Sequence, residues 1–284
     1  MTRFLAMAGL LALAAPQFTS SVNQVEIYAS VTDAAGRPVQ GLRVDDFDVR
    51  EDGVPQRITV FSEGDFPLST AVAIDSSFSM TGDRLAVAKS AARIFIGALR
   101  PQDQSMLMSI GRSVDVIAPL SSDRDAQFRA LDSLTSWGTT SLHDAVISAI
   151  DELQPAKGRR ALVLLSDGDA RYSEASAADV LARARRADVM IYPVALGRRL
   201  PPLFTQMATL TGGRAFHERS TRRLPDTLRL IAEELRRQYL IGYAPSRADG
   251  AGAERLGQDR WRDIDVRVTR PRVTVRARDG YYSR

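Results

Sequence analysis

The sequence predicts a mixed α/β protein whose largest unit is a doubly wound, Rossmann-like and mostly parallel β-sheet. Between about Leu68 and Gln238, runs of continuous apolar residues alternate with amphipathic helical patterns. This strict rotation indicates crossover connections on a parallel sheet that is buried on both faces. On either side of that region, apolar and polar residues alternate between Gly and Pro turns, which indicates a small antiparallel β-sandwich-like module.

The elements of the central region follow a regular order along the chain. The patterns indicate a strand, a helix, a hairpin and two helices, followed by strand, helix, strand, helix, strand and helix. Their segments are LSTAVAID, RLAVAKSAARIFIGAL, QSMLMSI with SVDVIAPL, DAQFRALDSL, SLHDAVISAIDEL, RRALVLLSD, SAADVLARARRA, DVMIYPVAL, PLFTQMATL, GRAFHE and LPDTLRLIAEELRRQ. The hairpin, joined at Gly111 and Arg112, breaks the rotation and predicts one antiparallel strand at an edge of the sheet.

Four segments divide the chain. We assign residues 1–15 to a signal peptide, 22–64 to an N-terminal β segment, 68–238 to the α/β domain and 239–284 to a C-terminal β segment. Each flank supplies only two or three strands, and so few strands are marginal in isolation. We therefore expect the two flanks to pack together as one composite β module.

Composition excludes several classes of function. The chain has 38 basic and 34 acidic residues, a formal net charge of +4, and both signs interleaved throughout. Its Arg-rich stretches lie on amphipathic helix patterns, where a solvated face is the simpler explanation, so we expect no nucleic-acid partner. The absence of cysteine excludes disulfides, thiolate metal sites and cysteine nucleophiles.

Hydroxyl and carboxylate side chains collect at the predicted strand and helix ends. They are Asp75, Ser77 and Ser79 at the end of the first central strand, Thr139 and Thr140 before a helix, and Asp167 at the end of a later strand. Ligands of doubly wound sheets gather at the carboxyl ends of strands. A helix cap would need only one of the polar side chains between Asp75 and Ser79, so we expect a further role for them.

Familiar catalytic motifs do not explain these groups. The chain contains neither GxxxxGK[ST] nor GxGxxG, and no GxSxG elbow. Asp75 also lacks the acid two residues on that a phosphoaspartyl enzyme would use, because Ser77 stands there. A hydrolase remains the alternative, either with Asp75 and a metal or with a serine paired to His143.

Two carboxylates with several hydroxyls are hard oxygen ligands, which suit Mg²⁺, Mn²⁺ or Ca²⁺ and not zinc. The segments DSSFSM, GTT before a helix and SDG after an apolar strand resemble, in this order, the metal-binding motifs of von Willebrand factor A (VWA) domains. The resemblance spans about 170 residues and implies a metal-ion-dependent adhesion site (MIDAS). It implies that Ser77, Ser79 and Thr140 coordinate Mg²⁺ through their hydroxyls, and that Asp75 and Asp167 act directly or through water.

The resemblance implies a protein-binding module and not an enzyme. A Mg²⁺ ion held by neutral hydroxyls keeps much of its charge, so we expect a Glu or Asp carboxylate of a partner protein to complete its coordination. The flanks, including QYLIGYAP, resemble those of exported bacterial, acidobacterial-type A-domain proteins. A purely structural or assembly role, with no ion bound, is a further alternative.

Four residues near the site receive a separate interpretation. We interpret Asp144 and Asp169 as helix caps or hydrogen-bond acceptors rather than ligands, and Trp137 as a packing residue. Phe78 stands where a glycine is common in the family, and we expect it to lie exposed beside the metal. We prefer Thr140 to Thr139 as the ligand because of its place in the GTT segment.

The N-terminus has the pattern of a secretory signal. Arg3 precedes the apolar run Phe4–Ala15, which carries small residues at Ala12 and Ala14. The run is too short to span a bilayer comfortably, although an uncleaved anchor or a buried helix is the alternative. Because no later segment approaches a membrane span, we expect a secreted or periplasmic protein.

Export gives the first testable prediction. When the full sequence is expressed in a bacterial host, the mature protein should begin between Ala15 and Val22 and be recovered outside the cytoplasm. Leu10→Arg should retain the protein in the cytoplasm, because it places a charge inside the apolar run. N-terminal sequencing of each fraction measures both outcomes, and wild-type protein that keeps Met1 in the cytoplasm would contradict the prediction.

Overall fold

The computed structural model describes residues 24–64, 66–245 and 260–283. The expected signal segment therefore falls outside the described residues. Within the described part of the chain, no helix has the length and hydropathy needed to cross a membrane.

Fourteen strands and six α-helices make up the described residues. The strands are β1 (Val25–Asp33), β2 (Phe47–Glu51), β3 (Val54–Pro55), β4 (Ile58–Glu63), β5 (Leu68–Asp75), β6 (Gln104–Ile110), β7 (Val114–Ser121), β8 (Arg159–Ser166), β9 (Met190–Ala195), β10 (Phe216–His217), β11 (Tyr239–Tyr243), β12 (Arg260–Val268), β13 (Val273–Arg276) and β14 (Gly280–Ser283). The helices are α1 (Asp83–Ala98), α2 (Arg124–Ser133), α3 (Leu142–Leu153), α4 (Ala177–Arg186), α5 (Pro202–Thr211) and α6 (Leu224–Arg236).

The central sheet has six strands in the order β10-β9-β8-β5-β6-β7. The first five are parallel, and β7 pairs with β6 in the antiparallel direction, so the predicted sheet and its antiparallel edge are confirmed. All eight residues of β5 are buried, because successive side chains of a strand point to opposite faces and helices cover both. Val72 and Ile74 pack with α1 and α6, whereas Ala71 and Ala73 pack with α3.

The flanking segments form a sandwich of two four-stranded antiparallel sheets. Their strand orders are β13-β1-β11-β4 and β14-β12-β2-β3. Strands from the two ends of the chain alternate in the first sheet, and in the second they meet where β12 pairs with β2. Residues of both sheets share one apolar core, among them Ile27, Val49, Tyr239 and Ile264. The predicted β-sandwich-like module built from both flanks is confirmed.

The α/β domain joins the sandwich at a buried arginine, Arg159, the first residue of β8. Its guanidinium donates hydrogen bonds to the carbonyl of Phe66 (2.7 Å), the carbonyl of Leu235 and the side-chain oxygen of Gln238 (3.1 Å). These acceptors belong to the chain as it enters the α/β domain and as it leaves. Burial lowers the pKa of Arg159 to about 10, so the side chain stays protonated at neutral pH.

A glycine positions this arginine. Gly158 has a φ of +75°, and a Cβ there would lie 2.7 Å from the carbonyl oxygen of Pro67. A larger residue would therefore push the start of β8 away from the start of β5. The Arg159 guanidinium also lies 5.9 Å from the centre of the Tyr28 ring and 5.5 Å from that of Phe66, which adds cation–π attraction.

A second contact ties α6 to the sandwich. The carboxylate of Glu234 is only 2% exposed, and it accepts a hydrogen bond from the Tyr192 hydroxyl at 3.0 Å. Its other oxygen lies 2.6 Å from the Arg276 guanidinium on β13. The ion pair therefore joins the last helix of the α/β domain to the outer strand of the sandwich.

Replacement of Arg159 tests the importance of this junction. Arg159→Met keeps most of the apolar stem but leaves the buried acceptors on Leu235 and Gln238 and the part-buried carbonyl of Phe66 without this donor. Each buried acceptor without a donor costs about 1–3 kcal/mol. We expect the free energy of unfolding to fall by about 3 kcal/mol or more, measured by urea denaturation. Arg129→Met on the exposed face of α2 serves as the control and should change it by less than about 0.5 kcal/mol. Equal effects of the two substitutions would contradict the prediction.

Candidate metal centre

The strand order brings the two predicted carboxylates to neighbouring strand ends. Asp75 is the last residue of β5, and Asp167 directly follows β8, which pairs with β5 in the parallel direction. Parallel neighbours end on the same edge of a sheet, so their terminal side chains meet there. Gly197, which follows β9, packs against Asp167: a Cβ added at Gly197 would lie 3.6 Å from the Cβ of Asp167.

Asp75 is completely buried. Its Oδ1 accepts a hydrogen bond from the Ser77 amide at 2.9 Å, and its Oδ2 accepts one from the Ser166 hydroxyl at 2.7 Å. Burial raises the pKa of the Asp75 carboxyl, the hydrogen bonds from Ser77 and Ser166 oppose the rise, and the negative charge of Asp167 adds to it. A cation beside Asp75 would relieve the cost of burying this charge.

The two predicted serine ligands lie side by side. After β5, a short 3-10 turn over Phe78–Met80 buries Met80 and leaves Ser79 exposed. The Ser77 and Ser79 hydroxyl oxygens are 3.0 Å apart. Ligand oxygens about 2.1 Å from Mg²⁺ on adjacent octahedral positions are separated by about 3 Å, so this pair fits the ion.

The loop before α3 carries Thr139 and Thr140. Thr140 is 4% exposed, and its carbonyl accepts hydrogen bonds from the amides of Arg171 (3.2 Å) and Tyr172 (3.3 Å) in the loop after Asp167. The hydroxyl of Thr139 is buried and has no hydrogen-bond partner among the described residues. An oxygen without a donor is available for a cation, so Thr139 joins Thr140 as a candidate.

Backbone hydrogen bonds hold the loops together. The Phe78 amide donates to the Gly138 carbonyl at 3.1 Å, and the Trp137 amide donates to the Ser76 carbonyl at 2.7 Å. With the bonds from Arg171 and Tyr172 to Thr140, they connect the loops that carry the five predicted ligands. The described residues contain no group of three or more His, Asp or Glu side chains arranged as a metal site, so the candidate site depends on hydroxyls and two carboxylates.

The neighbouring acids act as hydrogen-bond acceptors. Asp144 accepts from the amides of Glu174 (3.0 Å) and Ala175 (2.9 Å), which supports the loop after Asp167. Asp169 pairs with Arg171 at 3.1 Å on the surface. The structure thus agrees with the interpretation of both as acceptors.

The histidines do not pair with a serine hydroxyl. The Nδ1 atom of His143 lies 2.9 Å from the carbonyl of Ala175, and the Nε2 atom of His217 lies 3.0 Å from the carbonyl of Gly197. Within the described residues, neither ring contacts a serine side chain by a hydrogen bond. The geometry therefore gives no support to a Ser–His catalytic pair.

The interpretation of Trp137 as a packing residue is wrong. Its side chain is 65% exposed, because the backbone of Trp137, and not its ring, is tied into the loop. Sequence reasoning also missed Ser166, whose hydroxyl supports Asp75. The signal for it was present, since Ser166 directly precedes Asp167 at the end of an apolar strand.

Comparisons with known proteins support the resemblance to VWA domains. The family model of the von Willebrand factor type A domain matches residues 70–169, a range that includes all five predicted ligands. The resemblance of this part of the chain to a VWA domain is therefore confirmed. Domains of this family are usually interaction modules without enzymatic activity. No curated protein matches the chain, and the acidobacterial-type group stays a prediction.

Solved structures share the fold at low sequence identity. A von Willebrand factor type A protein from Catenulispora acidiphila is 14% identical, with a TM-score of 0.55 over 83% of this chain and 74% of its own. Proximal thread matrix protein 1 from the mussel byssus is 15% identical, with a TM-score of 0.52 over 61% and 49%. An aerotolerance-related membrane protein from Bacteroides fragilis is 16% identical, with a TM-score of 0.50 over 59% and 98%.

The buried carboxylate gives a prediction about stability. Because burial raises the pKa of Asp75, its charged form destabilises the fold at any pH above the carboxyl's pKa in the unfolded chain. Asp75→Asn should therefore have a Tm in EDTA at neutral pH equal to or above that of wild type, while Mg²⁺ raises only the wild-type Tm. Thermal unfolding measures both, with the exposed Asp226→Asn as the control. A Tm for Asp75→Asn well below wild type in EDTA would contradict the prediction.

Proposed function

We propose that this chain is an exported, metal-dependent protein-binding module. The observation that carries the proposal is the convergence of Asp75, Ser77, Ser79, Thr140 and Asp167 on loops at one strand-end face, with the Ser77 and Ser79 hydroxyls 3.0 Å apart. The ion is Mg²⁺, with Mn²⁺ or Ca²⁺ as alternatives of the same oxygen-binding class. The VWA match over residues 70–169 supports an interaction role.

The ligand set explains why a partner would be needed. Ser77, Ser79 and Thr140 would hold the ion through neutral oxygens, while Asp75 and Asp167 lie at the same face and balance part of its charge. The bound ion supplies an electrophilic position for an anionic oxygen. A Glu or Asp carboxylate of a partner protein fills that position and links the two molecules.

The enzymatic alternative is a hydrolase that uses the metal or a Ser–His pair. The contact of His143 with the Ala175 carbonyl disfavours the pair. Asp169, two residues after Asp167, forms a surface ion pair with Arg171, so its carboxylate is already engaged within the chain. Screening ester and phosphoester substrates would expose an activity that this proposal does not expect.

The proposed location is secreted or periplasmic. The support is the Arg3 and Phe4–Ala15 pattern together with the fold shared with proteins such as the thread matrix protein of the mussel byssus. Export would place the strand-end face where it can meet proteins outside the cytoplasm.

Calorimetric titration with Mg²⁺ and Mn²⁺ tests the metal site. Wild type should bind one ion, Asp75→Ala should bind none, and Thr140→Ala should bind about tenfold more weakly because it loses one ligand, about 1.4 kcal/mol. Thr205→Ala on the exposed surface of α5 is the control. Folding should survive EDTA. Mg²⁺ should raise the free energy of unfolding, and with it the Tm, by the mass-action term, about 2.7 kcal/mol at a hundred times Kd.

Two results would overturn the proposal. One is a wild-type chain that binds no divalent ion in the titration. The other is a partner, captured from the exported fraction of the source organism, that binds equally well in Mg²⁺ and in EDTA. Equal ion binding by Asp75→Ala and wild type would show that the ion binds at another site.

A further inference from the structure

Three exposed aromatic side chains surround the candidate metal loops. Phe78 is 65% exposed, Trp137 65% and Tyr172 61%, and each belongs to a different loop. The other large apolar side chains with high exposure among the described residues are Val44 and Val116, at 38% and 41%. We name Phe78, Trp137 and Tyr172 the aromatic rim. Large apolar groups concentrated at one exposed place mark an interaction surface.

The backbone holds the rim in place while leaving its rings free. The amide of each rim residue donates a hydrogen bond to another loop: Phe78 to Gly138, Trp137 to Ser76 and Tyr172 to Thr140, at 3.1, 2.7 and 3.3 Å. In the ranges that the structure describes, none of the three rings stacks on another aromatic ring or on an arginine. A partner would gain apolar contact with the rim without first breaking internal ring contacts.

A basic cleft of about 450 Å³ lies beside the same loops. It is lined by Arg84, Arg198, Arg219 and Glu218, among others, and we name it the arginine cleft. Arg84 donates a hydrogen bond to the Ser79 carbonyl at 3.2 Å, which connects the cleft to the metal loop.

Two guanidinium groups of the arginine cleft have no partner among the described residues. Arg198 and Arg219 are exposed, and neither forms a hydrogen bond or an ion pair with another described residue. The one acid of the lining, Glu218, accepts a hydrogen bond from Thr227 at 2.6 Å. The unpaired guanidinium groups suit a carboxylate from outside the chain.

The strand order places Trp137 of the rim and the two unpaired arginines of the cleft on opposite sides of the metal loops. Along the edge of the sheet, Arg219 follows β10 and Arg198 follows β9, whereas Asp167 follows β8 and Asp75 ends β5. Trp137 lies beside β6, the strand on the other side of β5. A Cβ added at Gly111, directly after β6, would lie 3.2 Å from the Trp137 carbonyl oxygen. Neighbouring strands are about 4.8 Å apart, so the end of β9, which Arg198 follows, lies two spacings, about 10 Å, from the end of β5 at Asp75.

We propose that this face docks one extended segment of a partner protein with a defined order of side chains. This inference rests on the proposed function, because an acid of the segment binds the metal ion. A second acid reaches the arginine cleft, and an apolar side chain beyond the first acid packs on the aromatic rim. Since an extended chain advances about 3.3 Å per residue, the two acids are about three residues apart.

Selection from a random twelve-residue peptide library displayed on phage tests the proposal, with Mg²⁺ or EDTA in parallel. The baits are the wild-type chain, a rim variant with Phe78→Ala, Trp137→Ala and Tyr172→Ala, and a cleft variant with Arg198→Glu and Arg219→Glu. Val44→Ala and Arg129→Glu are the matched controls, because Val44 and Arg129 are exposed away from this face. Calorimetry with Mg²⁺ shows that each bait still holds the ion.

We expect peptides selected by wild type in Mg²⁺ to carry two acids about three residues apart and an apolar residue on the far side of one of them. The rim variant should lose the apolar preference, and the cleft variant should lose the second acid. A selected peptide should bind each variant at least about tenfold more weakly than wild type, with the controls unchanged.

The outcomes separate this inference from the proposed function. Mg²⁺-dependent peptides that lack this pattern, peptides that both variants bind as wild type does, or a wild-type bait that binds Mg²⁺ but selects nothing would each overturn the docking inference and leave the metal site standing. The same pattern selected equally in EDTA, with no Mg²⁺ binding by calorimetry, would support the rim and the cleft but overturn the proposed function.

Discussion

The buried guanidinium of Arg159 is the contact on which the arrangement of the chain depends. Among the described residues no carboxylate pairs with it, so its charge is balanced by two carbonyls, a side-chain amide oxygen and two aromatic rings. Only a planar group with several donors can reach acceptors on both connections at once. Arg159 thus aligns β8 with the entry and the exit of the α/β domain, and β8 in turn carries Ser166 and leads into Asp167.

The candidate metal site differs from the Arg159 junction, because it buries a carboxylate whose charge destabilises the fold in the absence of a cation. β5 is apolar along its buried length until Asp75, whose carboxylate is held by Ser77 and Ser166 and crowded electrostatically by Asp167. Burial of a carboxylate beside a second acid is unfavourable without a cation. The loops around this pair are joined by hydrogen bonds, and they are where the proposed ion would bind.

Local sequence patterns were sufficient to predict the sheet and to name the polar residues at its edge. They were insufficient to predict which neighbouring side chains are exposed. Continuous apolar strands fixed the buried parallel sheet, and DSSFSM, GTT and SDG named side chains that the strand order then brought to one edge. The exposure of Trp137 could not be read in this way, because it depends on a backbone hydrogen bond to Ser76, 61 residues earlier in the chain. The role of Arg159 likewise depends on partners 76 to 93 residues away.

The interleaved sandwich also sets an order of folding events during synthesis. β1 pairs with β11 and β13, more than two hundred residues later in the chain, so the N-terminal strands emerge long before their partners exist. The α/β domain between them has all its strand partners within residues 68–217 and can form first. Until the last strands arrive, β1, β2 and β4 present unpaired edges that invite association with other chains. A chaperone that covers these strands would therefore protect the newly made protein during that interval.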